Sequence, residues 1–85
     1  MRYLYLQMPT ENEARAAEIV QHLKSKGVMC EGFIVQKERQ GVYERQRDAM
    51  ATVFKIRMNR MTWQEIFKEF NGAGGDINGY WEENN

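Results

Sequence analysis

Hydrophobic and polar positions along this chain follow two periods, two and 3.6, in alternating blocks. Residues 2–8, RYLYLQM, put Tyr3 and Tyr5 on one side and Leu4, Leu6 and Met8 on the other, as a strand requires. Pro9 ends that run because it has no amide proton to give a ladder. Thr10-Glu11-Asn12-Glu13 reads as a capping box, with the threonine oxygen accepting from the amide three residues on and Glu13 reaching back. Ala14, Ala17, Val20 and Leu23, with Ile19 beside them, then form one stripe of a helix that runs to Lys24–Lys26. Gly27 stands where a C-terminal cap is expected, and the lysines before it suit the negative end of the helix dipole. Residues 28–36 return to strand character around Phe33-Ile34-Val35. Strand, helix and strand make a βαβ unit whose two strands run parallel. Such a unit needs a third strand from elsewhere in the chain, or cover from a second chain.

Beyond the polar turn expected at 37–41 lies the segment around which the rest must be arranged, YERQRDAMATVFKIRMNR at 43–60. Its periodicity is double. As a helix, Met50, Val53, Phe54, Met58 and Met61 fall at steps of three and four. As a strand, Thr52, Phe54, Ile56 and Met58 alternate with Val53, Lys55 and Arg57, and the β-branched residues favour that choice. The helical reading accounts for more residues over a longer window and is the one adopted, with the strand as its alternative.

Asn59-Arg60-Met61 breaks the pattern, and Thr62-Trp63-Gln64-Glu65 is a second capping box. Trp63, Ile66, Phe67 and Phe70 predict a short amphipathic helix over 63–70, closed by the glycines of 71–75. The expected fold is α+β: one compact domain over 1–71, a small βαβ unit followed by two helices. Residues 72–85 are expected as a glycine-rich loop and an acidic tail. In that tail Ile77, Tyr80 and Trp81 are free to dock as an anchor, add an edge strand or form a last helical turn.

Composition narrows the class. With 42% hydrophobic and 28% charged residues the chain is of ordinary globular type, and ten aromatics supply a core. At 85 residues that core is small, so a partner or a dimer would help its stability. Cys30 is the single cysteine, which excludes an intramolecular disulfide. No run approaches the ~18 apolar residues of a membrane span and no signal-peptide pattern opens the chain, so a cytoplasmic location is expected. The net charge is zero but unevenly spread. Residues 37–60 carry seven basic side chains against Glu38, Glu44 and Asp48, a net of +4. Residues 61–85 set Lys68 against Glu65, Glu69, Asp76, Glu82 and Glu83, a net of −4.

Few residues point to catalysis. His22 is the only histidine and has no nucleophile in sequence register with it; Cys30 reads as a small buried side chain. Neither belongs to a cluster of metal ligands, and the glycines of 72–75 follow a helix and lack the lysine of a phosphate loop. No catalytic residue, metal or cofactor is expected. Nucleic-acid contact is open to Lys37, Arg39, Arg45, Arg47, Lys55, Arg57 and Arg60, which are dense enough to follow phosphates. The stretch from Met61 to Ile66 also looks like the start of a helix-turn-helix, but the second helix would carry Asp76, Glu82 and Glu83 and repel the backbone. Protein contact is open to Met58, Met61, Trp63, Phe67, Phe70, Tyr80 and Trp81, an aromatic and methionine inventory of the kind that marks interfaces. The same residues would equally serve as the core of a small domain.

Tyr5-Leu6-Gln7-Met8-Pro9-Thr10, the helix to Lys26-Gly27-Val28, the strand at Phe33-Ile34-Val35, Gly41 and Arg45 are spaced as in another group of proteins. Over its first fifty residues the chain resembles the serine recombinases of the resolvase and invertase type. Pro9 stands at the position of that family's nucleophilic serine, Gln7 replaces an arginine, and Arg45 alone resembles a phosphate-binding arginine. The resemblance implies a catalytically inactive relative, without recombinase activity. The function expected from the sequence is thus a small non-enzymatic interaction or regulatory domain, self-associating and binding a protein partner through 43–70. The alternative is a nucleic-acid-binding protein that uses 37–60.

Overall fold

The computed structural model describes residues 1–9, 12–40 and 47–84, with the side chains of 37–40 and 47–50 left out. Their order is β1 (Arg2–Met8), α1 (Glu13–Ser25), β2 (Met29–Gln40), β3 (Arg47–Arg57), α2 (Trp63–Gly72) and β4 (Gly79–Asn84). The four strands form one sheet in the order β2-β3-β1-β4. β3 is antiparallel to both β1 and β2, with Leu6 opposite Phe54 on one side and Phe33 opposite Phe54 on the other. β1 and β2 are therefore parallel, as the βαβ reading requires, but they are not neighbours. The third strand that such a unit needs is β3, inserted between them. β4 lies antiparallel to β1 on its free side. This split βαβ arrangement, repeated as β-α-β-β-α-β, is the ferredoxin-like topology, and the fold class is α+β in a single compact domain.

Several expectations are corrected. The stretch within 43–60 is not a helix: Arg47–Arg57 is the central strand β3, in the alternation that the β-branched residues favour. Thr52, Phe54 and Ile56 point toward the helices, and both backbone edges of β3 are paired over 52–57. A helix here would leave β1 and β2 with no partner between them. The polar turn expected at 37–41 is also absent up to Gln40, because β2 continues that far opposite β3; residues 41–46 lie outside the described residues. Finally, the acidic tail expected after the glycine-rich loop is a strand over Gly79–Asn84. Of the roles open to it, the edge strand is the one taken: β4 pairs with β1 from Arg2↔Asn84 to Gln7↔Gly79 and so completes the sheet.

Local signals fix both helices. The N-cap of α1 is Asn12, whose Oδ1 accepts from the Arg15 amide at 3.1 Å. At its other end Gly27 has φ +83°, the Val28 amide donates to the Leu23 carbonyl and the Gly27 amide to the Lys24 carbonyl. That pair of bonds is a Schellman motif, and only glycine adopts its left-handed position without cost. The buried side chains of Val28 and Leu23 supply the hydrophobic contact that accompanies it. α2 carries the expected capping box: Thr62 accepts from the Glu65 amide while the Glu65 carboxylate accepts from the Thr62 amide.

Both helices cover one face of the sheet. Leu4, Leu6, Met8, Phe54 and Ile56 from the strands pack with Ala16, Ile19 and Leu23 of α1 and Ile66 and Phe70 of α2. Phe54 and Phe70 meet edge to face, with centroids 5.0 Å apart. At the C-terminal end of α2 the chain turns back so closely that a Cβ on Gly75 would run into the Phe70 ring. Beyond Met8, which faces Thr52, β1 ends, and the pairs from Gln36↔Ala51 to Gln40↔Arg47 continue as a two-stranded ribbon.

Candidate interaction surface

Period two decides what the second face of the sheet carries. With Leu4, Leu6, Phe54 and Ile56 turned toward the helices, the opposite face receives Tyr3, Tyr5 and Gln7 from β1 and Val53, Lys55 and Arg57 from β3. β2 adds Ile34, and β4 adds Trp81 and Glu83. No helix covers this face among the described residues. Ile34 is 68% exposed and Trp81 39%. Beside Ile34 lies a shallow depression of about 370 Å³ bordered by Tyr5, Gly32, Val53 and Lys55. Gly32, the partner of Lys55, closes a bulge in β2 that begins at Cys30 and leaves Glu31 unpaired in the ladder, and its φ of +148° is one that side chains rarely adopt.

The polar and aromatic groups of the face are mutually engaged. Tyr5 and Trp81 stack with centroids 5.1 Å apart and planes 5° from parallel. Lys55 Nζ sits 4.4 Å from the centre of the Tyr3 ring and 3.6 Å from Glu31 Oε2. Gln7 Nε2 donates to Asn78 Oδ1 at 3.2 Å, tying the loop before β4 to the end of β1. On the other side of the sheet, at the edge of the helical layer, Arg2 Nε donates to Glu82 Oε1 at 2.5 Å, and this bond with the carboxylate's charge raises the arginine's pKa above its ordinary value.

The residues expected from the sequence to bind protein fall into three environments. Phe70 is fully buried and is core. Met58, Met61, Trp63 and Phe67 are partly buried and pack on the core. Trp63 and Phe67 also hold Tyr80, which is 54% exposed, with ring centroids 5.3 and 5.4 Å away. Trp81 alone stands on the open sheet face. Of the basic residues, Lys55 and Arg57 are on that face and Arg60 is exposed between β3 and α2. Lys37, Arg39 and Arg47 occupy ribbon positions opposite Met50, Asp48 and Gln40, while Arg45 is outside the described residues. Tyr3, Tyr5 and Ile34 were not among the expected contact residues. The signal was the strand alternation itself, which places them on one face once β3 is a strand.

The groups considered for catalysis are placed as follows. Cys30 is buried at the start of β2, and burial pushes its thiol pKa up, which keeps it protonated. His22 Nε2 of α1 lies 3.9 Å from Glu69 Oε2 of α2, beyond hydrogen-bond distance. Among the described residues no group of three or more His, Cys, Asp and Glu is placed to hold a metal ion. Of the positions behind the recombinase resemblance, Gln7 is the last β1 residue on the open face, and Pro9, exposed, follows the end of the strand at Met8. Among the described residues no helix is long and apolar enough to cross a membrane. No protein-family profile matches the chain, and comparison with curated proteins returns no significant match.

Proposed function

We propose that this chain is a small non-enzymatic interaction domain whose protein-binding surface is the open face of its sheet. The observation that carries the reading is the exposure of Ile34 and Trp81, with Tyr3 and Tyr5 between them, on the sheet face opposite both helices. Aromatic and aliphatic side chains grouped on a flat, uncovered sheet gain free energy when a partner removes them from water. The helices, by contrast, have spent Ile66, Phe70 and most of Trp63 and Phe67 on the core. The binding surface is therefore assigned to the strands and not to 43–70 as a helical pair.

A photo-crosslinking residue placed at Ile34, compared with one at the exposed Gln64 of α2, tests this in extract of the cells the protein comes from. The expected result is a protein adduct at position 34 and none at position 64. Absence of any protein adduct at position 34 would sink the reading.

The alternative, nucleic-acid binding through the basic segment, draws support from Lys55 and Arg57 standing beside Tyr3 and Tyr5 on one sheet, since aromatic sheet faces can stack single-stranded bases. It requires binding to an oligonucleotide at low salt that weakens steeply toward physiological ionic strength.

A further inference from the structure

We propose that the partner received by the open sheet face is a second copy of this chain, giving a two-fold dimer with the two sheets packed face to face. This rests on the reading of that face as a protein-binding surface. It names the occupant.

Charge is the first argument. Among the described side chains the face and its rim carry Lys55 and Arg57 against Glu31 and Glu83, so both signs are present and they balance. In a two-fold interface whatever residue i meets on its partner, the partner's residue i meets in return. A face of single sign would repel its own copy; this one offers each copy the opposite sign.

Shape is the second. Ile34 projects from β2 directly beside the depression bordered by Tyr5, Gly32, Val53 and Lys55. Gly32 has no side chain to fill it, so the surface presents a knob and a hollow side by side. That is the self-complementary pattern of an isologous contact.

The same groups fit nucleic acid less well. Tyr3 and Tyr5 are half-buried and each ring already has an occupant, Trp81 on Tyr5 and the Lys55 ammonium on Tyr3. Lys55 also faces Glu31, and Glu83 lies opposite Tyr3, where it would oppose a phosphate chain. Ile34 has no role in contacting phosphates. At the usual strand rise and spacing the face measures about 20 Å each way. That is small beside the roughly 800 Å² that each partner contributes to a standard interface, so a reversible dimer is expected.

Sedimentation velocity of the full chain over a range of concentrations tests the proposal, with four variants folded by the criterion of circular dichroism. The wild type should pass from monomer to dimer as concentration rises. Ile34→Glu should weaken that association at least tenfold with its helix and strand signal intact. Glu31→Lys and Lys55→Glu should each dissociate alone, because each face then has one dominant sign, yet associate when mixed with one another. Gln64→Glu on α2 should behave as wild type. A wild type that stays monomeric at every concentration overturns the proposal, and so does dimerisation that ignores Ile34→Glu. A monomer that binds an oligothymidylate at low salt instead would give the face to nucleic acid. If the wild type is monomeric while position 34 still crosslinks to another protein, the dimer falls and the interaction reading stands. If no protein adduct forms there, both fall.

Discussion

Tyr5 on β1 and Trp81 on β4 are direct cross-strand partners, and their rings lie stacked 5.1 Å apart on the open face of the sheet. The contact attaches the last strand of the chain to the first. Aromatic cross-strand pairs stabilise a ladder beyond the area they cover. Trp81→Ala should therefore cost about 1–2 kcal/mol in urea unfolding, and amide exchange should rise in β4 well before it rises in β3. Equal exchange in the two strands would mean that the stack does not hold the edge.

Gly75 is a steric requirement of the turn between α2 and β4. Any Cβ there meets the fully buried Phe70 ring, which itself packs edge-on against Phe54. Gly75→Ala should lower stability by about 1–3 kcal/mol through overpacking. Gly72→Ala serves as the control, because a Cβ at Gly72 meets nothing within 4 Å. The pair of melting curves should separate clearly.

The thiol of Cys30 gives a pH dependence whose sign follows from its environment. Burial raises its pKa in the folded state, with desolvation the largest cause. A raised folded pKa means that the native state holds the proton more tightly than the unfolded chain does. The stabilisation is complete below the ordinary thiol pKa and is lost as pH rises through the raised value. Wild type should accordingly lose more stability across that alkaline interval than Cys30→Ala. A thiol reagent should also label the native protein far more slowly than the unfolded chain. Rapid native labelling would contradict the burial.

Thr62 and Glu65 satisfy each other's backbone amides at the start of α2. Thr62→Ala should cost about 1 kcal/mol, while Thr62→Ser should be nearly neutral, as read from denaturant midpoints.

Much of this fold was legible in the chain because some signals are local. Arg2–Met8 is rich in tyrosine and leucine and stops at Pro9, Gly27 closes a helix in a left-handed conformation, and Thr62 opens another with Glu65 three residues on. The segment at 47–57 was not settled by local signals. Val53, Phe54 and Met58 satisfy both periods, and what decides between them is the two strands on either side, a non-local fact. Three further readings followed from that one. Lys37–Gln40 became a strand because β3 was there to pair with it. Trp81 became an edge residue because β1 had an open side. Tyr3, Tyr5 and Ile34 became a surface only when β3 joined their strands. The capping box expected from Thr10 and Glu13 is replaced by a single N-cap bond: Asn12, two residues after Thr10, caps α1, and Arg15 at the third helical position has no carboxylate to reach back.

We propose that the open sheet face, and not the helical layer, is where this protein meets its partner. The most direct measurement is the change in backbone amide shifts of isotope-labelled protein between dilute and concentrated samples. The account expects the largest changes at Tyr3, Tyr5, Ile34, Lys55 and Trp81, with Gln64 and Lys68 of α2 unmoved. Changes centred on α2 around Trp63 and Phe67, with the sheet face silent, would contradict it.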